Sequence, residues 1–367
     1  MPAACTGANT EAITAPPFDV ISPYERGPSP PPAYLLMQRN DDVLKKVPLG
    51  RSGLSVSCIG LGANSLLDPS EPEWVATVYE ALDRGLDFID SAAIYGEGRS
   101  ERFFGKVLKE RRAGVVLATK CGIHRGADGS VVIDGSPEGI TRECDESLAR
   151  LNTEVIDLYY YHQISKTVPI EDTIGAMADL VTAGKVRSIG ICNATVDQIR
   201  RAHAVHPLAA LQTEYSLFTR EPEADALPVC RELGIAFVAY GPLGYAFLSG
   251  GVKSLGDIPE GDRWRRSNER FQDDAIGHNL ALLEKLTAFG KEVGATPGQL
   301  SLAWLLAKGE DVIPIPGSRK TAHLAENLGA ADIRLTPEQV ARIDAAFPPG
   351  IARGGARGGH SPQVAVL

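Results

Sequence analysis

Eight short apolar runs, each followed by a longer amphipathic stretch, restrict what this chain can fold into more than any other feature. The runs are Val56–Gly62, Phe88–Ala92, Val115–Cys121, Asp157–His162, Val186–Asn193, Leu208–Ser216, Ala236–Pro242 and Val312–Gly317. A sheet with one wet face alternates apolar and polar residues. Continuous apolar runs instead read as strands buried on both faces, as in parallel sheets. Helical stretches lie between them, among them Glu73–Arg84, Ser100–Glu110, Pro137–Leu151, Ile170–Ala183 and Glu221–Leu233. Gly85, Gly184 and Gly234 stand where C-caps belong, and Ser136-Pro137 and Thr336-Pro337 pair an N-cap with proline at the first helical position. A doubly wound open sheet would show the same alternation. Eight units favour closure into an α/β (β/α)8 TIM barrel.

Several segments interrupt the rhythm. Val47 to Val56, turning at Arg51-Ser52-Gly53, reads as an N-terminal β-hairpin. Asp128-Gly129 and Asp134-Gly135 flank a short Ser130–Ile133 strand, which predicts a second hairpin after the third barrel strand. Leu243 to Ala275 is a long rim connection after the seventh strand, and Thr336 to Phe347 reads as an extra C-terminal helix. Residues 1–36 hold eight of the 25 prolines and no apolar period. With the charged stretch up to Lys46 they are expected to form a disordered leader, 1–46, ahead of a barrel domain, 47–348. Translation starting at Met37 is the alternative account of that leader. Residues 349–367 contain Arg353-Gly354-Gly355-Ala356-Arg357-Gly358-Gly359, which resembles an RNA-binding stretch. In an acidic protein it is expected to be a flexible tail.

Composition excludes several classes. The 367 residues are 44% hydrophobic, enough for one large core, and the net charge of −9 argues against a nucleic-acid surface. No eighteen consecutive apolar residues occur, so no membrane span is expected, and the start lacks a secretory signal pattern. Six scattered cysteines without a Cys-x-x-Cys pair read as reduced thiols of a cytoplasmic protein. No metal site is expected: His203 and His206 sit near a helix end without a third ligand. Oligomeric state is left open.

Barrel enzymes carry their chemistry at the C-terminal ends of strands. Here the second run ends in Asp90 with Tyr95 just beyond, the third in Lys120, and the fourth in His162. Each alone has a bland reading: a cap, a loop aromatic, a solvated strand end, a core histidine. Together they place a carboxylate, a phenol, an ammonium and an imidazole at one mouth.

At these residues the chain resembles the aldo-keto reductase superfamily. The resemblance runs through Phe88-Ile89-Asp90-Ser91-Ala92-Ala93-Ile94-Tyr95-Gly96, Gly98 with Ser100-Glu101, and Asp157-Leu158-Tyr159-Tyr160-Tyr161-His162. It continues through Gly184–Gly190, Gln212-Thr213-Glu214-Tyr215-Ser216, Tyr240-Gly241-Pro242-Leu243-Gly244, Ile315-Pro316-Gly317-Ser318 and Glu326-Asn327. The long connection after strand seven resembles the branch with perakine-reductase-like and auxin-induced-type enzymes.

The resemblance implies an NADPH-dependent reduction of an aldehyde or ketone, with Tyr95, Asp90, Lys120 and His162 as a catalytic tetrad. Hydride addition builds negative charge on the carbonyl oxygen. Tyr95 would protonate it, Lys120 would favour the phenolate, Asp90 would hold Lys120, and His162 would orient the carbonyl. The resemblance also implies that Asn193 and Gln212 bind the nicotinamide carboxamide and that Tyr240 stacks on its ring. Leu243, Gly244, Gly317 and Ser318 would cradle the pyrophosphate and ribose phosphate through backbone amides, with Pro242 also at the cofactor. Arg319 and Lys320 would take the 2′-phosphate, and Glu326 and Asn327 the adenine end. Three positions depart from the family pattern: Cys192 replaces a usual serine, Gln163 a common arginine, and His323 an arginine frequent in NADPH users. The last implies that NADH also serves, at lower efficiency.

Other classes fit less well. No Gly-x-Gly-x-x-Gly follows a strand, and no Tyr-x-x-x-Lys occurs, which argues against Rossmann and short-chain dehydrogenases. A sugar- or pyridoxal-directed dehydrogenase working oxidatively would use the same residues. A sensor or channel-associated subunit that only binds NADPH has no need of Tyr95. A metal-dependent hydrolase would need a His/Asp/Glu cluster at the strand ends. From the leader's composition, a chain beginning at Met37 is expected to melt at the same temperature as the full chain and keep its activity. A drop of several degrees would show that the leader packs on the barrel.

Overall fold

The computed structural model describes residues 44–126, 128–260 and 262–355. The expected leader up to residue 43 and the expected tail from residue 356 lie outside them. Twelve strands are present among the described residues: β1 Lys46–Pro48, β2 Ser55–Ser57, β3 Leu61–Gly62, β4 Phe88–Asp90, β5 Val116–Cys121, β6 Ile123–Arg125, β7 Val131–Ile133, β8 Ile156–Tyr161, β9 Val186–Cys192, β10 Ala210–Glu214, β11 Ala236–Tyr240 and β12 Val312–Pro314.

Each of the eight apolar runs contributes one strand to a parallel sheet in the order β12-β11-β10-β9-β8-β5-β4-β3. The sheet closes on itself. Gly62 bridges Gly317 in parallel, and the amides of Gly60 and Gly62 donate to the carbonyls of Pro314 and Pro316 at 2.9 and 3.2 Å. The fold is therefore the (β/α)8 barrel that the count of runs predicted. All six residues of β5 and of β8 are buried, as continuous apolar runs require.

The seam between first and last strands admits only glycine. A Cβ on Gly60 would lie 2.7 Å from the Phe88 ring and 2.9 Å from Ile315, and one on Gly62 would lie 2.7 Å from the Ile315 carbonyl oxygen. The N-terminal hairpin pairs Val47 with Val56, and both valines are buried. Its turn at Gly50 packs so closely that a Cβ would stand 2.3 Å from the Ala209 carbonyl oxygen, just before β10. The hairpin thus covers the end of the barrel opposite the strand C-termini.

The second hairpin is β6 with β7, antiparallel, after β5. The expected helix Glu221–Leu233 is two elements: a 3-10 turn Glu221–Glu223 and a helix Ala226–Leu233, whose start Asp225 caps by accepting from the Ala226 amide. The connection after β11 contains a 3-10 turn Leu255–Asp257, a short helix Arg263–Ser267 and a 3-10 turn Glu269–Phe271. It ends slightly earlier than expected, at a long helix Asp273–Val293, which the helix Pro297–Ala307 follows. The extra C-terminal helix spans Pro337–Ala346 and docks through Arg220, which donates to the carbonyls of Asp344 and Phe347 at 3.2 and 2.7 Å.

Two expected boundaries shift. Lys46, assigned to the leader, is the first residue of β1 and pairs with Asp87. Residues 351–354, assigned to the tail, hydrogen-bond to the long helix: Asn279 accepts from the Arg353 amide and donates to its carbonyl, both at 3.0 Å. The five described cysteines are buried and form no disulfide. No helix among the described residues is long and apolar enough to cross a membrane.

The seam yields a contrast between two glycines. Gly62→Ala is expected to lower stability by about 1–3 kcal/mol through overpacking against a backbone oxygen. Gly175→Ala, in the helix Ile170–Thr182 with nothing within 4 Å of its Cβ position, is expected to raise it by about 0.5–1 kcal/mol. Urea titration of both variants measures the difference, and similar shifts in the two would refute the close-packed seam.

Candidate active site

The C-terminal strand ends bring together the four side chains that the sequence singled out. Asp90 ends β4, Lys120 lies near the end of β5, His162 follows β8, and Tyr95 stands in the turn after β4. Lys120 and Asp90 are buried, with side-chain exposures of 0% and 2%, whereas Tyr95 and His162 are half-buried and border the open mouth. The Lys120 ammonium donates to Asp90 Oδ1 at 2.5 Å and to the Ser91 carbonyl at 2.7 Å, and lies 3.4 Å from the Tyr95 hydroxyl. The rings of Tyr95 and His162 meet edge to face, with centroids 5.9 Å apart.

Burial works against the Lys120 charge. The carboxylate of Asp90 outweighs it and holds the ammonium above the ordinary lysine value. Burial pushes the Tyr160 phenol and the Cys192 thiol well up, so both stay neutral around physiological pH. The Tyr160 ring nevertheless contributes, because its face lies 5.8 Å from the Lys120 ammonium, with Tyr95 on another side at 5.0 Å.

A supporting layer fixes this geometry. Glu101, fully buried on the helix Arg99–Val107, accepts from Thr119 Oγ1 at 2.6 Å and from Arg150 Nε at 2.5 Å. It thereby locks the helix behind Tyr95 to the residue preceding Lys120. Ser100 accepts from the Ser91 hydroxyl at 2.9 Å and donates to the Ala63 carbonyl at 3.1 Å. In the sequence Ser100-Glu101 stands as part of a motif, with no task evident for either residue. The signal was a charged residue at a position where the helix must bury, but Arg150 lies 49 residues away and no local pattern announces it.

The residues expected at the cofactor line the other side of the mouth. Tyr240 donates to Asn193 Oδ1 at 3.0 Å, and Asn193 adopts a left-handed φ of 52° that asparagine tolerates. Gln212 reaches across the barrel interior and donates to Asp90 Oδ2 at 2.7 Å, so it ties β10 to the Lys120–Asp90 pair. Gly241 and Gly244 have φ of 61° and 56°. Pro242 is buried and Leu243 half-buried. Ser318 is buried and accepts from Asn327 at 2.9 Å; Gly317, Arg319 and Lys320 are exposed. Arg319 lies over the Trp74 ring at 5.9 Å. Glu326 accepts from Thr296 at 2.7 Å.

One His/Asp/Glu group does assemble near the strand ends, where none was expected. Ligand-capable atoms of His124, Asp134 and Glu143 lie within 4.8 Å of one another. His124 Nδ1 is 3.1 Å from Glu143 Oε1, Glu143 Oε2 accepts from the Gly122 amide at 2.8 Å, and Asp134 accepts from the Ser136 amide and hydroxyl. These bonds brace the β6–β7 hairpin. Residues spaced over three elements leave no spacing signal in the sequence.

Similarity to known proteins identifies the family. A model described as the aldo/keto reductase family matches residues 58–347. The curated "Probable aldo-keto reductase 1" of Glycine max is 40% identical over 318 residues, covering 85% of this chain and 91% of that protein. Among solved structures, the glycerol dehydrogenase AKR11B4 from Gluconobacter oxydans superposes with a TM-score of 0.76 at 28% identity, over 83% of this chain and 96% of that one. The holo form of aldo-keto reductase AKR11C1 from Bacillus halodurans gives 0.70 at 29% identity, with the same coverage. The barrel, the residues at its mouth and these relatives lead to one conclusion: the chain belongs to the aldo/keto reductase family and is an NAD(P)H-dependent oxidoreductase acting on carbonyls.

Proposed function

We propose that this enzyme reduces an aldehyde or ketone with NADPH, with Tyr95 delivering the proton to the carbonyl oxygen. The observation that carries this reading is the buried Lys120 ammonium, 2.5 Å from Asp90 and 3.4 Å from the Tyr95 hydroxyl. The opposite side suits a nicotinamide. Asn193 and Gln212 offer amide donors and acceptors for a carboxamide, Tyr240 offers a ring face, and the left-handed glycines 241 and 244 admit a close-lying phosphate backbone.

A bound reduced nicotinamide supplies the hydride that adds to the carbonyl carbon. His162 and Tyr95, sharing the open mouth, direct hydrogen bonds at the carbonyl oxygen. As negative charge builds there, the Tyr95 O–H bond breaks, its proton passes to the carbonyl oxygen, and that oxygen stays on carbon as the hydroxyl of the product alcohol. Lys120 stabilises the charge left on the Tyr95 oxygen, in a site where little water screens it. Asp90 keeps Lys120 aimed, and Gln212 keeps Asp90 aimed.

Reduction and oxidation use the same groups. The likeness to a glycerol dehydrogenase supports a second reading, oxidation of a polyol or sugar-like alcohol. A panel of carbonyls assayed by loss of NADPH absorbance, run beside alcohols with NADP+, separates the two and identifies the substrate class.

Tyr95→Phe is expected to abolish turnover and leave cofactor affinity nearly intact. A purified variant that kept more than about a tenth of the wild-type kcat would exclude Tyr95 as the acid.

Cofactor choice gives a further test. Arg319 and Lys320 follow Gly317-Ser318 at the end of the eighth unit, and charge-assisted bonds to a 2′-phosphate contribute roughly 1.5–3 kcal/mol, or about ten- to a hundredfold. Arg319→Ala is expected to raise KM for NADPH by about that factor and leave KM for NADH unchanged. His323→Arg is expected to sharpen the preference for NADPH. Equal losses with both cofactors in Arg319→Ala would withdraw the 2′-phosphate assignment.

A further inference from the structure

The connection after β11 opens with Leu243 and Gly244. It then turns at once through two non-glycine residues in the left-handed region, Tyr245 at φ 59° and Ala246 at φ 76°. Such conformations persist only where neighbours over-determine them. The Tyr245 hydroxyl donates to Glu214 Oε2 at 2.9 Å. The other oxygen of Glu214 accepts from Thr219 at 2.8 Å and from Arg270 Nη1 at 3.2 Å. Arg270 comes from the far end of the same connection and is buried, with 1% exposure, and its Nε is buried without a partner among the described residues. A guanidinium so placed depends on the Glu214 carboxylate, since removing one partner strands the other charge in the interior.

The chain's C-terminal segment lies directly on Arg270. Its Nη2 donates to the Gly354 carbonyl at 3.5 Å, and a Cβ on Gly354, where φ is 85°, would stand 2.2 Å from the Arg270 amide nitrogen. Only glycine fits there. Asn279, fully buried, clasps both sides: it donates to the Arg270 carbonyl at 3.3 Å and pairs with the Arg353 backbone through two bonds of 3.0 Å. His278 Nε2 sits 2.7 Å from the Ile351 carbonyl. The Arg353-Gly354 pair, whose composition suggests a free tail, is backbone packed on backbone.

We propose that residues 351–354 are a strap that holds the Leu243–Ala246 turn in its cofactor-retaining shape, acting through Gly354, Arg270, Glu214 and Tyr245 in that order. Arg270 is a positioning residue, and dinucleotide retention depends on the C-terminal segment. This rests on the reading of Leu243 and Gly244 as cofactor contacts.

Stopped-flow fluorescence of NADPH release tests it on the full chain, on Gly354→Ala, on a chain ending at Ala352, and on Tyr245→Phe. Release is expected to be about tenfold faster in the two strap variants, equivalent to 1.4 kcal/mol. In Tyr245→Phe, which removes only one hydroxyl and spares the fold, it is expected to be about threefold faster or more. Melting temperatures of the cofactor-free proteins are measured alongside. Strap variants that melt several degrees lower yet release NADPH within about twofold of wild type would show a brace for the fold alone, and would overturn the proposal. So would unchanged release from Tyr245→Phe. Failure of the full chain to bind NADPH or NADH would overturn the cofactor reading itself, and the strap's role with it.

Discussion

An ammonium and a carboxylate taken out of water together cost several kcal/mol each unless their hydrogen-bonding capacity is filled. Lys120 and Asp90 meet that condition with groups from across the barrel. Asp90 receives Lys120 on one oxygen and Gln212 of β10 on the other, while Lys120 also reaches the Ser91 carbonyl and the Tyr95 hydroxyl. Three strands and one turn are thereby tied at one point. A one-residue slip of β5 would turn Lys120 out of the barrel and leave Asp90 buried without its cation. The register of the sheet and the electrostatics of the site are a single constraint.

The two ends of the barrel divide the work of stability and chemistry. At the N-terminal end the β1–β2 hairpin seals the core with Val47 and Val56, and Gly50 lies against the strand starts. The seam glycines Gly60 and Gly62 let first and last strands approach. At the C-terminal end the buried carboxylates are held in paired form. Glu101 is held by Thr119 and Arg150, and Glu214 by Thr219, Tyr245 and Arg270. These carboxylates stand on either side of the tetrad. One stiffens the Tyr95 turn, and the other gathers the long connection after β11. Rigid support beneath a half-open mouth suits a reaction that needs fixed donors around a developing charge.

The eight apolar runs, the caps and the order of the motifs were readable because they are local. Periodicity reports burial on one element at a time, and Asp90, Tyr95, Lys120 and His162 stand at strand ends whose position in a barrel is set by topology. What remained hidden depends on residues far apart in sequence. Gln212 bonds to Asp90 across 122 positions, Arg150 to Glu101 across 49, and Arg270 to Glu214 across 56. The helix expected over Glu221–Leu233 broke because Asp225 bonds to the backbone and starts a new helix. The segment 351–354 read as tail because the Arg-Gly-Gly stretch it enters lacks any pattern of burial, although the small size of Gly354 is what lets the backbone dock. The amino-acid sequence by itself determined the barrel, its chain order and the four residues at its mouth, since these follow from hydrophobic periodicity and strand ends. Only the tertiary structure decided which buried charges pair, how the β6–β7 hairpin gathers His124, Asp134 and Glu143, and where the C-terminal segment lies, because a buried polar group is satisfied by whatever partner the packing brings within hydrogen-bonding distance.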